Sequence, residues 1–164
     1  MLAVPRYRYP YPPSRDGIQV LGALAWTTGE AFLLPSLGPS AFVLAAVDDR
    51  PRRVVVGQLV GVFTAFLAVL ALATDVAGLL EASAYSVAGL RRVAAALAAT
   101  VVATVGMYGT DSLHPPAYAT VLIVSLGIAD AALDVVAFAL GVFVLVGTHL
   151  ALADHGPWNP PYSL

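Results

Sequence analysis

The stretch Ser112-Leu113-His114-Pro115-Pro116-Ala117-Tyr118 sets a histidine and two adjacent prolines between long apolar runs. The chemistry that this combination suggests is anion binding by backbone. A residue before proline is driven out of helical geometry, whereas proline fits the first helical position, where its missing N–H had no partner to lose. A helix is therefore expected to begin at Pro115 or Pro116 and to leave the N–H groups of Ala117, Tyr118 and Ala119 open. Such an end carries roughly +0.5 of an elementary charge and can hold a small anion without lysine or arginine. Ser36-Leu37-Gly38-Pro39-Ser40-Ala41-Phe42 offers a second copy, identical at four of seven positions at a constant offset of 76. There the helix is expected to start at Pro39, after Gly38, with the donors of Ser40, Ala41 and Phe42 open. Inside a bilayer each bare donor is costly, so two such ends facing one site point to a ligand. The alternative is a pair of structural kinks, with the donors met by Ser36, Ser40, Ser112 or nearby carbonyls.

The surrounding chain must hold these segments in a membrane. Of 164 residues 59% are apolar and 11% charged, where a soluble domain carries about 25% charged residues. Four stretches, Ile18–Pro35, Val54–Thr74, Arg91–Thr110 and Leu133–Ala153, are each near the length of about 20 residues that spans a bilayer core. Pro39–Val47 and Pro115–Ala129 are shorter and open with proline. The fold expected is an all-α polytopic membrane protein. It has four long transmembrane helices plus two short proline-initiated half-helices, in two long-short-long pseudo-repeats. Gly61-Val62-Phe63 recurring as Gly141-Val142-Phe143 extends the repeat. Residues 1–16 form a Pro/Tyr/Arg tail, 17–153 the transmembrane domain (repeats at about 17–74 and 91–153), and 154–164 a C-terminal tail. The tail lacks the apolar core of a signal peptide and reads as uncleaved. All eight basic residues are arginine. If each unit crosses three times, the units are inverted. A cytoplasmic tail then puts six arginines inside and only Arg91 and Arg92 outside, as the positive-inside rule requires. Re-entrant short helices would instead give parallel units and four spans.

Other residues carry weaker signals. Glu30, inside the first expected span, is a candidate proton carrier, because a carboxylate at that depth needs a reason; capping the Ser36–Ser40 donors, or a place near the membrane interface, is an equal alternative. His114 is expected as a neutral imidazole beside the helix donors, a second proton-coupling candidate, with Ser40, Thr120 and Gln58 tuning the site. Asp130 and Asp134 read as a solvated turn, Gly57 and Gly61 as close helix packing, and His149 as packing. Tyr7, Tyr9, Tyr11, Trp158 and Tyr162 read as interfacial anchors. There is no cysteine, and no metal, cofactor, nucleic-acid or enzymatic motif is found.

Thr110-Asp111-Ser112-Leu113-His114-Pro115-Pro116-Ala117-Tyr118-Ala119-Thr120 resembles the signature of the HPP family of integral membrane proteins. Leu37-Gly38-Pro39-Ser40-Ala41 is similar to that family's first short motif, and Pro51-Arg52 with Gly57 to its second. The resemblance runs from about Ile18 to Ala153. It implies four transmembrane helices and a role in transport, with nitrite movement implicated for plastid members. One departure is Gly57-Gln58, where the family pattern has Gly-His; if that histidine carries protons or sets selectivity, the ion or its coupling differs here.

The expectation is a multi-pass protein of the cell membrane, a homo-oligomer (a dimer by size), passing a small inorganic anion, nitrite by resemblance. The binding residues expected are Gly38, Pro39, Ser40, Ala41, Phe42, Gln58, His114, Pro115, Pro116, Ala117, Tyr118, Ala119 and Thr120. A channel for a small neutral solute, a cation or metal carrier using Glu30, Asp111 and His114, and a non-transporting scaffold remain open.

Overall fold

The computed structural model describes residues 15–46 and 50–153; the aromatic anchors and His155 lie outside them. The described residues form six helices and no strand: α1 Arg15–Thr28, α2 Leu33–Ala46, α3 Pro51–Leu72, α4 Val87–Gly109, α5 Ala117–Ser125 and α6 Ala132–Ala153. Three are long and apolar enough to cross a membrane: Pro51–Leu72, Val87–Gly109 and Ala132–Ala151. The ends follow local chemistry. Pro51 opens α3 behind an extended Arg50, and Ser86 caps α4 by accepting from the Gly89 N–H at 3.1 Å.

The first expected span is divided. Gly29 takes a left-handed φ of +79°, which ends α1 and turns the chain into α2 four residues on. Leu24 of α1 and Leu33 and Leu37 of α2 all lie against Gly141 of α6, so α1 folds back along α2 as a hairpin. Each arm has 14 residues, or about 21 Å of helix, short of a hydrocarbon core of about 30 Å. Pro39 then lies inside α2 and does not begin a helix. It removes one helical hydrogen bond without ending the helix, because the break had already been made upstream at glycine. The second expectation holds: α5 follows directly on Pro115 and Pro116.

Directions follow from close approaches. Gly57 of α3 meets Ser112 and His114, and Gly61 meets Ala117 and Val121, so α5 runs alongside α3 in the same sense. Ser36 pairs with Thr120 and Ser40 with His114, so α2 runs opposite to α5. Alanines at helical spacing (Ala95, Ala99 and Ala103) make the buried stripe of α4, and Gly106 admits Val60 of α3. On the outer face of α4, Leu90, Val93, Leu97, Val101 and Val105 are exposed, as a lipid-facing stripe must be.

At the end of the bundle away from Arg53, Arg92 ties two loops together. Its side chain is 4% exposed and pairs with Asp130 at 2.6 Å. It also donates to the carbonyls of Ala77 at 3.0 Å and Val76 at 2.6 Å. Asp130 is thus the partner of a buried arginine and not a free solvated carboxylate, while Asp134 accepts from the Ala131 N–H at 2.9 Å. A Cβ on Gly127 would meet the Arg92 guanidinium carbon at 2.7 Å, so this loop closes only with glycine.

Arg91 donates to Asp75 at 2.8 Å, and this hydrogen bond, reinforced by the arginine's charge, holds the exposed Asp75 carboxyl below its ordinary 3.8. A folded value below the unfolded one stabilises at neutral pH, and that contribution is lost as pH falls through the folded value. Wild type is therefore expected to melt above Asp75→Asn at neutral pH, with the gap closing on acidification below 3.8. Thermal unfolding in detergent across that range checks it.

Candidate functional site

Four elements bring five polar side chains together inside the bundle. Ser36 and Ser40 lie one turn apart on the same face of α2. Gln58 comes from α3, Thr120 from α5, and His114 from the loop that precedes α5. None is more than 1% exposed. Gln58 Nε2 donates to Ser40 Oγ at 2.7 Å and Thr120 Oγ1 donates to Gln58 Oε1 at 2.6 Å. Ser40 Oγ lies 2.8 Å from His114 Nε2, and Ser36 Oγ bonds Thr120 Oγ1.

Proton counting gives this seam a direction. A hydroxyl has one proton to donate. Thr120 gives its proton to Gln58, so Ser36 must donate to Thr120. Ser40 already accepts from Gln58, and its own proton finds an acceptor when His114 Nε2 carries a lone pair. The seam then runs from Ser36 through Thr120 to the Gln58 carbonyl, and from the Gln58 amide through Ser40 to an acceptor imidazole. A proton arriving at Nε2 would reverse the last link and release the Ser40 hydroxyl to another acceptor.

Glycine makes the seam possible. A Cβ on Gly57 would stand 2.6 Å from His114 Cβ and 2.8 Å from the Ser112 carbonyl oxygen. The loop therefore lies on bare α3 backbone, and the Gly57/Gly61 pair seats the start of α5 within this chain. Between α4 and α5 the backbone is one residue thick. Asp111 and Leu113 point outward, while Ser112 and His114 are fully buried. Ser112 is held by its N–H to the Met107 carbonyl at 2.8 Å and by Thr110 Oγ1 at 2.6 Å. Asp111 takes a φ of +50°, a conformation that aspartate tolerates better than most residues.

The expected backbone donors are not open. The N–H groups of Ala117, Tyr118 and Ala119 donate to the carbonyls of His114 at 2.9 Å, Pro115 at 3.1 Å and Pro116 at 3.1 Å. A tight first turn thus satisfies them locally. Ser40, Ala41 and Phe42 lie in the body of α2, with Ala41 in the core and Phe42 pointing outward. Gly38 and Pro39 shape α2 without facing the seam through a polar group. Tyr118 directs its hydroxyl to Thr104 at 2.7 Å. Of the expected residues the seam unites Ser40, Gln58, His114 and Thr120, and adds Ser36.

Glu30 is not in the middle of a span. It sits in the α1–α2 turn, where Phe32 stacks at 4.7 Å on Phe138 near the start of α6, at the end of α2 away from His114. Among the described residues no three of His, Asp and Glu gather closely enough to hold a metal, so Glu30, Asp111 and His114 form no common cation site. Arg53 and Arg92 entered the sequence reading only through the count of arginines; each meets its partner, Asp111 or Asp130, across a distance in sequence that no local spacing reveals.

No curated protein and no solved structure matches the chain. The family model described as HPP, transmembrane region, matches residues 15–157. That span includes every residue of the seam and the loop that carries His114-Pro115-Pro116, and the chain belongs to the HPP transmembrane family.

Proposed function

We propose that this multi-pass membrane protein is a transporter or channel for a small monovalent anion, with nitrite the leading candidate. The observation that carries the reading is the buried seam of Ser36, Thr120, Gln58, Ser40 and His114. A hydrophobic bundle tolerates such a cluster only when every member is paired, and these members pair with one another in a way that an incoming ion can exchange. Hydroxyl and amide protons that now bond within the seam turn to the anion as it passes. No carboxylate belongs to the seam, which disfavours a cation. Neutral donors compensate one charge far better than two, which favours a monovalent ion. Protonation of His114 frees the Ser40 proton for the anion, so proton and anion would move together. Glu30, at the other end of α2, is not required for this step.

The opposite running senses of α2 and α5 support an inverted pairing of the α1–α3 and α4–α6 units. The arginine count, with Arg50, Arg52 and Arg53 at one end against Arg91 and Arg92 at the other, favours the Arg50–Arg53 end as the cytoplasmic one, by the positive-inside rule. A homodimer suits so short a chain. The absence of any carboxylate, lysine or arginine from the seam also favours a second reading, a channel for a small neutral solute.

The test is uptake by proteoliposomes of nitrite, nitrate, formate, chloride and a neutral solute such as urea, with and without an inward proton gradient. Electrogenic or proton-driven nitrite uptake is expected. Urea flux without anion flux would establish the second reading, and no flux of either from folded protein would sink both.

A further inference from the structure

A cavity of about 250 Å³ opens beside the seam, lined by Arg53, Met107, Tyr108, Asp111 and Leu113. Asp111 and Leu113, which line it, belong to the loop whose next inward residues, Ser112 and His114, are fully buried.

The arginine is underused. Arg53 Nε is buried and has no hydrogen-bond partner. Asp111 Oδ1 stands 3.6 Å from Nη2, past hydrogen-bond range, so the pair is an ion pair without a hydrogen bond. Asp111 is itself 80% exposed on its side chain and sits on a left-handed backbone. Nε and Nη2 form one edge of the guanidinium, two parallel N–H groups in a plane. That edge matches two oxygens of a planar anion, which accept both protons at once. A spherical halide accepts along one line and cannot use the fork; lysine could supply the charge but not the edge.

We infer that the Arg53 cavity is the entry site of the transport path and selects planar oxyanions of the nitrite, nitrate and formate type over halides. Asp111 is the built-in competitor: its carboxylate screens the fork when the cavity is empty and swings toward solvent when an oxyanion takes the Nε–Nη2 edge. Leu113 and the loop backbone then stand between the bound ion and His114. The inference rests on the anion-transport reading for the ion's later passage, but binding at Arg53 is measurable without transport.

Purified protein in detergent is titrated with sodium nitrite, nitrate, formate and chloride at constant ionic strength, and the thermal midpoint is read. The same salts are used for uptake in vesicles. Oxyanions are expected to raise the midpoint in wild type and chloride not to do so. Arg53→Gln should lose the shift and raise the KM for nitrite uptake about tenfold, the loss expected of one charge-assisted fork. Arg53→Lys should retain anion binding but lose the preference for oxyanions over chloride. Asp111→Asn should lower the KM severalfold, and Gly147→Ala, which points into open space, should leave the ligand-induced shifts and the KM unchanged. Equal shifts from chloride and nitrite in wild type, an unaltered nitrite shift in folded Arg53→Gln, or an unaltered preference for nitrite over chloride in folded Arg53→Lys would overturn the site. An Arg53-dependent shift without any uptake would keep the site and remove the transport reading. Uptake indifferent to Arg53 would do the reverse.

Discussion

Gly57→Ala is expected to abolish uptake and to lower stability by about 3 kcal/mol, the upper part of the usual range for overpacking a closed interior. The added methyl would sit 2.6 Å from His114 Cβ and 2.8 Å from the Ser112 carbonyl oxygen. One neighbour is backbone and the other is the root of a side chain, so neither can yield by a rotamer change. Relief requires the whole loop to lift from α3, and lifting it draws His114 away from Ser40 and opens the seam at its imidazole end. Two further glycines grade the effect. At Gly61 the new Cβ would meet the Ala117 carbonyl at 3.2 Å and Val121 at 3.3 Å, a crowding that a shift of a few tenths of an ångström relieves. At Gly147 it meets nothing within 4 Å, and alanine there is expected to be neutral or stabilising by up to about 1 kcal/mol from helix propensity. Thermal midpoints in detergent and initial uptake rates should fall in the order Gly147→Ala, Gly61→Ala, Gly57→Ala. A Gly57→Ala protein that melts and transports like wild type would show that the loop does not need its seat on α3.

The same loop shows what could be read from the chain and what could not. Prolines 115 and 116 start a helix because of a rule about proline itself, and the three long apolar helices follow from length and hydropathy; both were legible. Pro39 obeys the same rule, yet the helix runs through it. What decides the matter lies ten residues upstream, at Gly29, whose left-handed turn had no reason to stand out among 14 glycines. The donors of residues 117–119 were legible as a group needing partners but not as a satisfied one. The carbonyls that take them belong to His114, Pro115 and Pro116 themselves, in a tight turn that local spacing does not distinguish from an open helix end.

The two motifs meet in the folded chain: Ser40 of the first bonds His114 of the second. The copies differ at the positions that matter, Gly38 against His114 and Ser40 against Pro116. The meeting is therefore between unlike side chains, hydroxyl to imidazole, and not between matched backbone ends. Gln58, outside both motifs, completes the seam. It was expected in the site from the sequence, as a tuning residue and as a departure from a Gly-His pattern, whereas Arg53, two residues into α3, entered only through the count of arginines.

Gln58→Leu is expected to be the most damaging change within the seam, costing about 3 kcal/mol through two buried groups stranded at once and eliminating uptake. Leucine fills nearly the same volume, so little of the loss comes from packing. Thr120 would lose its Gln58 acceptor, Ser40 would lose its donor, and the link between α5 and α2 through α3 would be cut. Gln58→His separates the loss of hydrogen bonds from the loss of glutamine. A neutral imidazole offers one N–H and one lone pair, the complement that Gln58 uses toward Ser40 and Thr120. The substitution also restores the Gly-His pairing that the family pattern leads one to expect. Uptake should survive in Gln58→His and acquire an added pH dependence between about pH 5 and 8, where histidine titrates and glutamine does not. The added dependence has a structural cause: a protonated ring donates from both nitrogens, so Thr120 must turn from donor to acceptor and the seam reverses as far as Ser36. Uptake by Gln58→Leu at the wild-type rate would mean that the ion never enters the seam. Loss in both variants would mean that the amide's own geometry, and not merely its donor–acceptor pairing, carries the ion between Thr120 and Ser40.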